Sequence, residues 1–406
     1  MSESTPSGWH NAALGELVEE RNDRVGEGSK PVVLSSTKHH GLVPSDEYFH
    51  GRTIYSNDLS NYKRVDRNWF AYATNHLAEG SIGLQREFDT ACVSPIYTVF
   101  KCQAPVDPDF LYRVLKSPGL VSAYRLHEQA SVDRRGAVRF RDFSKIRIEL
   151  PYSLAEQRRI AEILDVLDNR IASGGRVINK LHAICSGIAT RLVERIQAPP
   201  RPLREFLAVK PRNGFSPTEI ESWTGVVVLG LGCLTPDGFL PRQLKNIPAN
   251  DPRYAESWAS DGDLLMSRAN TLELVGLAGR YKDVGAQCVY PDLMMKLVPN
   301  ALVLPAYLEI LLRSDGLRRQ LRRIAQGTSE SMAKISASSV MGLSVQIPGL
   351  MEQDRILRVV ANGNSQMESL KAEKSKLMLL KWGLMGDLLT GRVRVRDGRI
   401  KRVGTG

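Results

Sequence analysis

Arg268, Asn270 and Thr271 stand in one short stretch, directly after the apolar run Leu264-Leu-Met. Their types are those of a reader of base edges. A guanidinium fork matches guanine, a carboxamide matches adenine, and a threonine methyl packs on the thymine methyl. The same stretch also reads as a polar turn ahead of Val275-Gly276. Gly327, Thr328 and Ser329 offer backbone N–H groups and hydroxyls suited to a phosphate. They read equally as a helix-ending glycine followed by a cap. Arg134, Arg135, Arg139 and Arg141 form the densest basic cluster of residues 1–150, flanked by Asp133 and Asp142. Lys63 and Arg64 beside Tyr62, and Asn75 beside His76, are weaker candidates of the same kind. Arg318, Arg319, Arg322 and Arg323 recur at helical spacing and read as a solvated helix face.

Chemistry that makes or breaks bonds finds less support. The five cysteines are scattered and form no CxxC pair, so they read as reduced, mostly buried thiols rather than zinc ligands or a disulfide framework. His39-His40 has no carboxylate or cysteine at metal-ligand spacing and reads as a surface pair. There is no P-loop. The one Pro-Pro, in Ala198–Arg201, sits in a linker rather than in a catalytic tetrapeptide. Pro291-Asp292 is followed by no nuclease-type carboxylate and lysine. The chain reads as a recogniser, not a catalyst.

Its bulk properties bound the setting. The 406 residues suggest two to three domains. A hydrophobic share of 42% with 24% charged residues is that of a soluble globular protein. No apolar run approaches the ~18 residues that span a bilayer. The polar, acidic start does not resemble a signal peptide, so the expected location is cytoplasmic, with no membrane partner. The net charge is +11. Over half of it lies in residues 348–406, which carry 12 basic and 6 acidic residues, while residues 1–150 balance to zero. Charge alone therefore does not make the two large segments polyanion binders, and local clusters must carry that argument.

The elements that would position these residues are written twice. Pro151-Tyr-Ser-Leu-Ala-Glu-Gln-Arg-Arg-Ile returns as Pro348-Gly-Leu-Met-Glu-Gln-Asp-Arg-Ile, and Pro108–Ser117 returns as Pro305–Ser314. Cys92-Val-Ser-Pro matches Cys288-Val-Tyr-Pro, Leu14-Gly-Glu-Leu matches Leu203-Arg-Glu-Phe, and Lys180–Ile188 matches Lys376–Leu384. All five pairs keep their order and nearly the same offset. The layout is 1–150 a first domain, 151–197 a helix, 198–347 a second domain, 348–391 a second helix, and 392–406 a basic tail that reads as flexible or as part of a docking surface. In the first helix Ile160, Leu164, Leu167, Ile171, Ile178, Leu181, Cys185, Ile188 and Leu192 step by four and three, a heptad seam with Gly174 as a point of close approach or kink. The second seam reads Ile356, Val359, Gly363, Gln366, Leu370, Glu373, Leu377, Leu380, Leu384 and Leu388. Some 40 helical residues reach roughly 60 Å. A pseudo-twofold would pack two such helices antiparallel and hide both seams. Strands are expected at Tyr97–Cys102, Lys145–Leu150, Gly225–Leu229 and Leu343–Ile347, and helices at 108–117 and 305–325.

This arrangement resembles the specificity subunit of type I restriction-modification systems. The marks are the two Pro-x3–4-Glu-Gln-x2-Ile helix starts, the ending Leu388-Leu-Thr-Gly-Arg392, the stretch Leu264–Gly276 and Gln326-Gly-Thr-Ser329. Thr74–Gly83 and Ser131–Gly136 depart from that pattern, as two domains reading different sequences would. The resemblance implies an α+β fold: two similar mixed α/β target recognition domains separated by a long antiparallel two-helix coiled coil. It implies that each domain reads half of a gapped, asymmetric site in double-stranded DNA. It implies that the coil docks two methyltransferase subunits, joined in some systems by two restriction-translocase subunits. The chain itself would bind no cofactor. S-adenosylmethionine, the donor for adenine-N6 methylation, would belong to the methyltransferase. Two other readings are a coiled-coil scaffold that reads no DNA and a methyltransferase with its own recognition domain.

Overall fold

The sequence doubling is visible as topology in the computed structural model, which describes residues 5–127, 137–325, 332–396 and 399–402. The chain gathers into two units, Met1–Gly174 with Glu373–Gly406, and Gly175–Ala372. In the first, Trp9–Ala13 pairs antiparallel with Arg147–Pro151. In the second, Arg201–Pro202 pairs antiparallel with Ser344–Val345. One four-stranded sheet of the first unit runs Val18–Arg21, Tyr97–Cys102, Phe70–Ala73, Ile82–Leu84. Its counterpart runs Arg212–Asn213, Met294–Leu297, Leu264–Ser267, Ala278–Arg280. A second sheet in each unit is built on a parallel pair, Val32–Thr37 with Thr90–Val93 and Val226–Leu229 with Gln287–Val289. Cys92 and Cys288 sit on the second strand of each parallel pair, both buried.

Corresponding glycines mark where the sheets close. A Cβ on Gly83 would lie 2.3 Å from the Leu42 nitrogen, and one on Gly279 would lie 2.5 Å from the Phe239 nitrogen. No side chain fits between those backbones. The helix expected at 108–117 is Pro108–Leu115, and a second, Pro118–Leu126, follows it; the single helix expected at 305–325 is two, Pro305–Arg313 then Asp315–Ile324. In the first unit Pro118 starts the new helix and the Ser117 hydroxyl caps it, accepting from Leu120 N–H.

Helices Leu154–Glu194 and Leu350–Leu388 are uninterrupted. The glutamine at the start of each is buried and occupied at both ends of its amide. Gln157 Oε1 accepts from Asp107 N–H at 2.7 Å, and its Nε2 donates to the Pro151 carbonyl at 2.8 Å. Gln353 Oε1 accepts from Leu304 N–H at 2.8 Å, and its Nε2 donates to the Pro348 carbonyl at 2.8 Å and the Leu302 carbonyl at 2.9 Å. The repeated glutamine thus ties the long helix both to the proline before it and to the approach of the domain's own helix pair.

Within the first unit the long helices meet through Asp168–Lys381 at 2.6 Å and Arg170–Glu373 at 3.7 Å. Within the second, the Cys185 sulfur sits 2.5 Å from where a Gly363 Cβ would be. Residue numbers rise on one helix as they fall on the other, so the pairing is antiparallel. The close approach falls at Gly363, and nothing lies within 4 Å of a Cβ on Gly174. The second seam also differs from the expected one. Met367 is buried, whereas Val359, Gln366 and Leu380 are exposed, and Glu373, exposed as well, reaches the first helix through Arg170. Lysines at 374 and 381 supply part-buried aliphatic stems along the inner line, which a count of apolar residues overlooks. On the first helix Ile188 is exposed as well.

The segment read as a basic tail is structural at its start. Val393 and Val395 join the first unit's core with Trp9, Ile160 and Leu164. The Arg394 guanidinium is buried and bidentate on Glu156, at 2.7 Å for both Nε and Nη2, and lies 5.8 Å from the centroid of the Trp9 ring. Glu156, in the first turn of the helix, is therefore a buried ion-pair partner. Its counterpart Glu352 is paired near the surface with Arg355 at 2.8 Å. Arg394→Met should destabilise the first unit by about 3–5 kcal/mol, because Glu156 is left buried and unpaired. Glu156→Leu with Arg394→Met should recover most of that loss. Urea melts of the three proteins check both expectations.

Candidate nucleic-acid interface

The central strand of each unit is buried along its whole length and delivers a loop at its end. In the second unit Leu264–Ser267 runs into Arg268. The Arg268 N–H donates to the Leu293 carbonyl at 2.8 Å, and its own carbonyl accepts from Ile335 N–H at 2.9 Å. The backbone is thus fixed on both sides. Among the described residues the half-buried guanidinium makes one long contact, Nη1 to the Asp292 carbonyl at 3.4 Å, and keeps its remaining donors. Ala269–Asn270 pairs with Ala333–Lys334. Asn270 Oδ1 accepts from Thr271 N–H at 2.8 Å, which among the described residues leaves a lone pair and both amide hydrogens for a partner. Thr271 is exposed, and its carbonyl accepts from Leu274 and Val275 in a tight turn. The stretch is a turn, as one sequence reading has it, and the turn presents Arg268, Asn270 and Thr271 together.

Arg318 holds that turn from below. It is 8% exposed, not solvated as the helical spacing suggested. Its Nη1 donates to the Val275 carbonyl at 2.7 Å and its Nη2 to the Glu273 carbonyl at 2.5 Å. Burial, with Arg322 beside it, pushes its pKa down to about 10. Carbonyl acceptors compensate part of the lost hydration, since no carboxylate pairs with it among the described residues. Gly276 closes the loop at φ +74°, with Leu321 side-chain carbons 3.1 Å from a Cβ there.

In the first unit Phe70–Ala73 is the matching strand and Thr74 takes the place of Arg268. Its carbonyl accepts from Val138 N–H at 2.9 Å, the counterpart of Ile335 on Arg268. Arg139, exposed, follows Val138 directly, so the structure brings Arg139 to the segment that bears Asn75. Asn75 Oδ1 is buried with no hydrogen-bond partner among the described residues. It lines a cleft of about 410 Å³ with Ser36, Tyr48, Tyr55, Tyr62 and Tyr97. Arg141 lies on the short helix Phe140–Phe143, exposed. Lys63 and Arg64 belong to the other sheet, and Arg64 is paired with Asp66 at 2.7 Å, so they do not join the Asn75 loop. Arg134, Arg135, Gly327, Thr328 and Ser329 lie outside the described residues.

The sequence did not point to the cations that hold these loops. Lys116 donates to the Lys38 carbonyl at 2.6 Å and the Gly80 carbonyl at 2.7 Å, joining the turn that bears His39 and His40 to the Asn75 loop. Arg313, at the matching place, donates to the Pro236 carbonyl at 2.9 Å. The aligned Lys116-Ser117 and Arg313-Ser314 were the available signal. Burial pushes the Lys116 pKa down from 10.5 to about 8. The unfolded chain therefore binds more protons than the folded one between those values, and this group makes stability rise with pH there. Lys116→Met should lack that rise relative to the parent when denaturation midpoints are compared at pH 7.5, 9 and 10. Parallel curves would show that the ammonium is not desolvated.

Among the described residues no group of three or more His, Cys, Asp or Glu is placed to hold a metal ion, and no helix is long and apolar enough to cross a membrane. No protein-family model matches the chain. Three curated relatives do bear on it. The chain is 27% identical over 236 residues to the type I restriction enzyme EcoKI specificity subunit of Escherichia coli, covering 54% of this chain and 50% of that one. It is 22% identical over 294 residues to the MjaVIII specificity subunit of Methanocaldococcus jannaschii, covering 63% and 64%. It is 28% identical over 154 residues to the HindI specificity subunit of Haemophilus influenzae, covering 37% and 32%. The chain thus matches from about a third to two thirds of these relatives' length. In fold it matches a chain from a structural study of complex assembly and conformational transition of the type I R-M system, with TM-score 0.60, 17% identity and coverage of 98% and 100%. It also matches the type I restriction-modification S subunit from M. genitalium, with TM-score 0.53, 14% identity and coverage of 96% and 97%. In sequence and in fold the chain is similar to type I specificity subunits.

Proposed function

We propose that this chain is the specificity subunit of a type I restriction-modification complex, a DNA reader that is not itself catalytic. Residues 1–150 and 198–347 each read one half of a gapped, asymmetric site in double-stranded DNA. The two long helices hold the halves apart and dock two methyltransferase subunits, which bring S-adenosylmethionine and methylate adenine N6. Restriction-translocase subunits complete the complex where restriction is coupled to it. The observation that carries this reading is the doubled topology. Two domains share strand order, glycine positions and a glutamine clamp, yet present different loops, Thr74–Gly80 and Arg268–Gly276. A homodimer repeats one half-site, whereas a covalent pseudo-dimer lets the halves differ while a stiff spacer keeps their separation.

The second long helix also carries exposed apolar side chains. Leu379 is 72% exposed and Trp382 is 56% exposed, with Met378 and Leu380 beside them. Such a cluster marks a protein–protein contact, and an exposed tryptophan is a common anchor of one. Under this reading it is where a methyltransferase subunit packs.

Genome-wide mapping of methylated bases, before and after deletion of the gene, tests the assignment. One gapped N6-methyladenine motif should vanish. An unchanged methylome in cells whose partner subunits are expressed would overturn the reading. Leu379→Asp with Trp382→Asp should cut recovery of the co-purified methyltransferase at least tenfold while leaving the thermal melt of the isolated chain unchanged. Undiminished recovery would remove these residues from the docking surface.

A further inference from the structure

The helix Asp315–Ile324 of the second unit carries a cost that the fold does not explain. Arg319, Arg322 and Arg323 are exposed, and none has a carboxylate partner among the described residues. Elsewhere on the surface arginines are commonly paired, as in Arg253–Asp251 at 2.5 Å, Arg280–Glu309 at 2.8 Å and Arg358–Asp354 at 2.7 Å. Like charges three and four residues apart weaken a helix. Here a fourth guanidinium, that of Arg318, is buried one turn away and sets four cations on ten residues.

The first unit shows that the fold does not require them. Its matching helix, Pro118–Leu126, aligns through Ser117-Pro-Gly-Leu and Ser314-Asp-Gly-Leu. Val121 stands where the second unit has Arg318, Ser122 for Arg319 and Leu126 for Arg323. Only Arg125 matches Arg322, and it points its Nε to the Ala78 carbonyl at 3.4 Å. The same helix therefore packs on the same sheet without the cluster.

Position suggests what the cluster meets. Arg318 bonds the Glu273 and Val275 carbonyls, so this helix and the Arg268–Gly276 loop form one rigid surface. Base-reading side chains need phosphate contacts beside them to fix register on the duplex. We infer that Arg319, Arg322 and Arg323 grip backbone phosphates next to the half-site read by the Arg268–Thr271 turn. The second domain thus supplies sequence-independent affinity through a helix that in the first domain lacks the cluster. This rests on the DNA-reading function proposed above.

The test uses the full chain with its co-purified methyltransferase, a duplex carrying the mapped motif, and a scrambled duplex. Affinity is measured against salt from 50 to 300 mM. Neutralising each phosphate contributes about 0.9 to the slope of log affinity against log salt. Arg319→Gln/Arg322→Gln/Arg323→Gln should reduce the slope by about two to three. Affinity for both duplexes should fall by the same factor, and the methylated motif should stay the same. Arg319→Lys/Arg322→Lys/Arg323→Lys should restore most of the slope, because the contact is one of charge, and this separates a lost grip from a misfolded helix. A triple glutamine variant with the parental slope overturns the inference while leaving the DNA-reading function standing. So does one that loses its methyltransferase but keeps its slope, since the arginines then face an acidic partner. A parental complex that does not distinguish the two duplexes overturns both.

Discussion

A carboxamide that must satisfy every polar atom in a dry site sets how each domain joins its helix. Gln157 and Gln353 are almost wholly buried, and each bridges the proline before the long helix and the backbone that leads into the domain's helix pair. Removing either amide would strand a buried N–H and a carbonyl, at about 1–3 kcal/mol for each group left unsatisfied. A rigid joint follows at both places. The loop at the end of each central strand inherits its position from that joint through a packed sheet, the helix pair and a cation bonded to loop carbonyls, part-buried Lys116 in one unit and buried Arg318 in the other. Any reading of a second molecule by those loops depends on this chain of fixed contacts.

Much of this was legible in the sequence because the constraint was written twice. The Glu-Gln helix starts, Cys92 with Cys288, and Lys116-Ser117 with Arg313-Ser314 all occupy matching places. What was not legible depends on partners far away in the chain. Glu156 looks like Glu352 in the sequence, yet only Glu156 receives Arg394 from beyond the second helix. Arg318 sits among four helical arginines, and only the carbonyls of Glu273 and Val275 single it out for burial. The second seam was misplaced because Gln366 and Leu380 fit a strict count better than the lysine stems that actually line it. Thr74 had no basic or amide character to suggest that it stands where Arg268 stands.

The two units keep one topology and differ in how they spend charge. The first surrounds its loop with a cleft, the part-buried Lys116 and the exposed Arg139. The second presents Arg268 on a clamped turn with a bare arginine helix beside it. Under the proposed function this is a pseudo-symmetric reader whose two halves share discrimination and place their cations on different elements. It also explains why residues 198–347 need no large net charge, since three arginines with no carboxylate partner among the described residues, gathered in one place, act on a duplex more strongly than a diffuse excess.

The central claim is that two recognition domains read DNA at a separation set by the antiparallel helices. Inserting one heptad at matched positions in both helices, which adds about 10 Å of coil, and mapping the methylated motif tests it most directly. The account predicts that both half-site sequences persist and that the gap between them lengthens. A motif with its gap unchanged would contradict it.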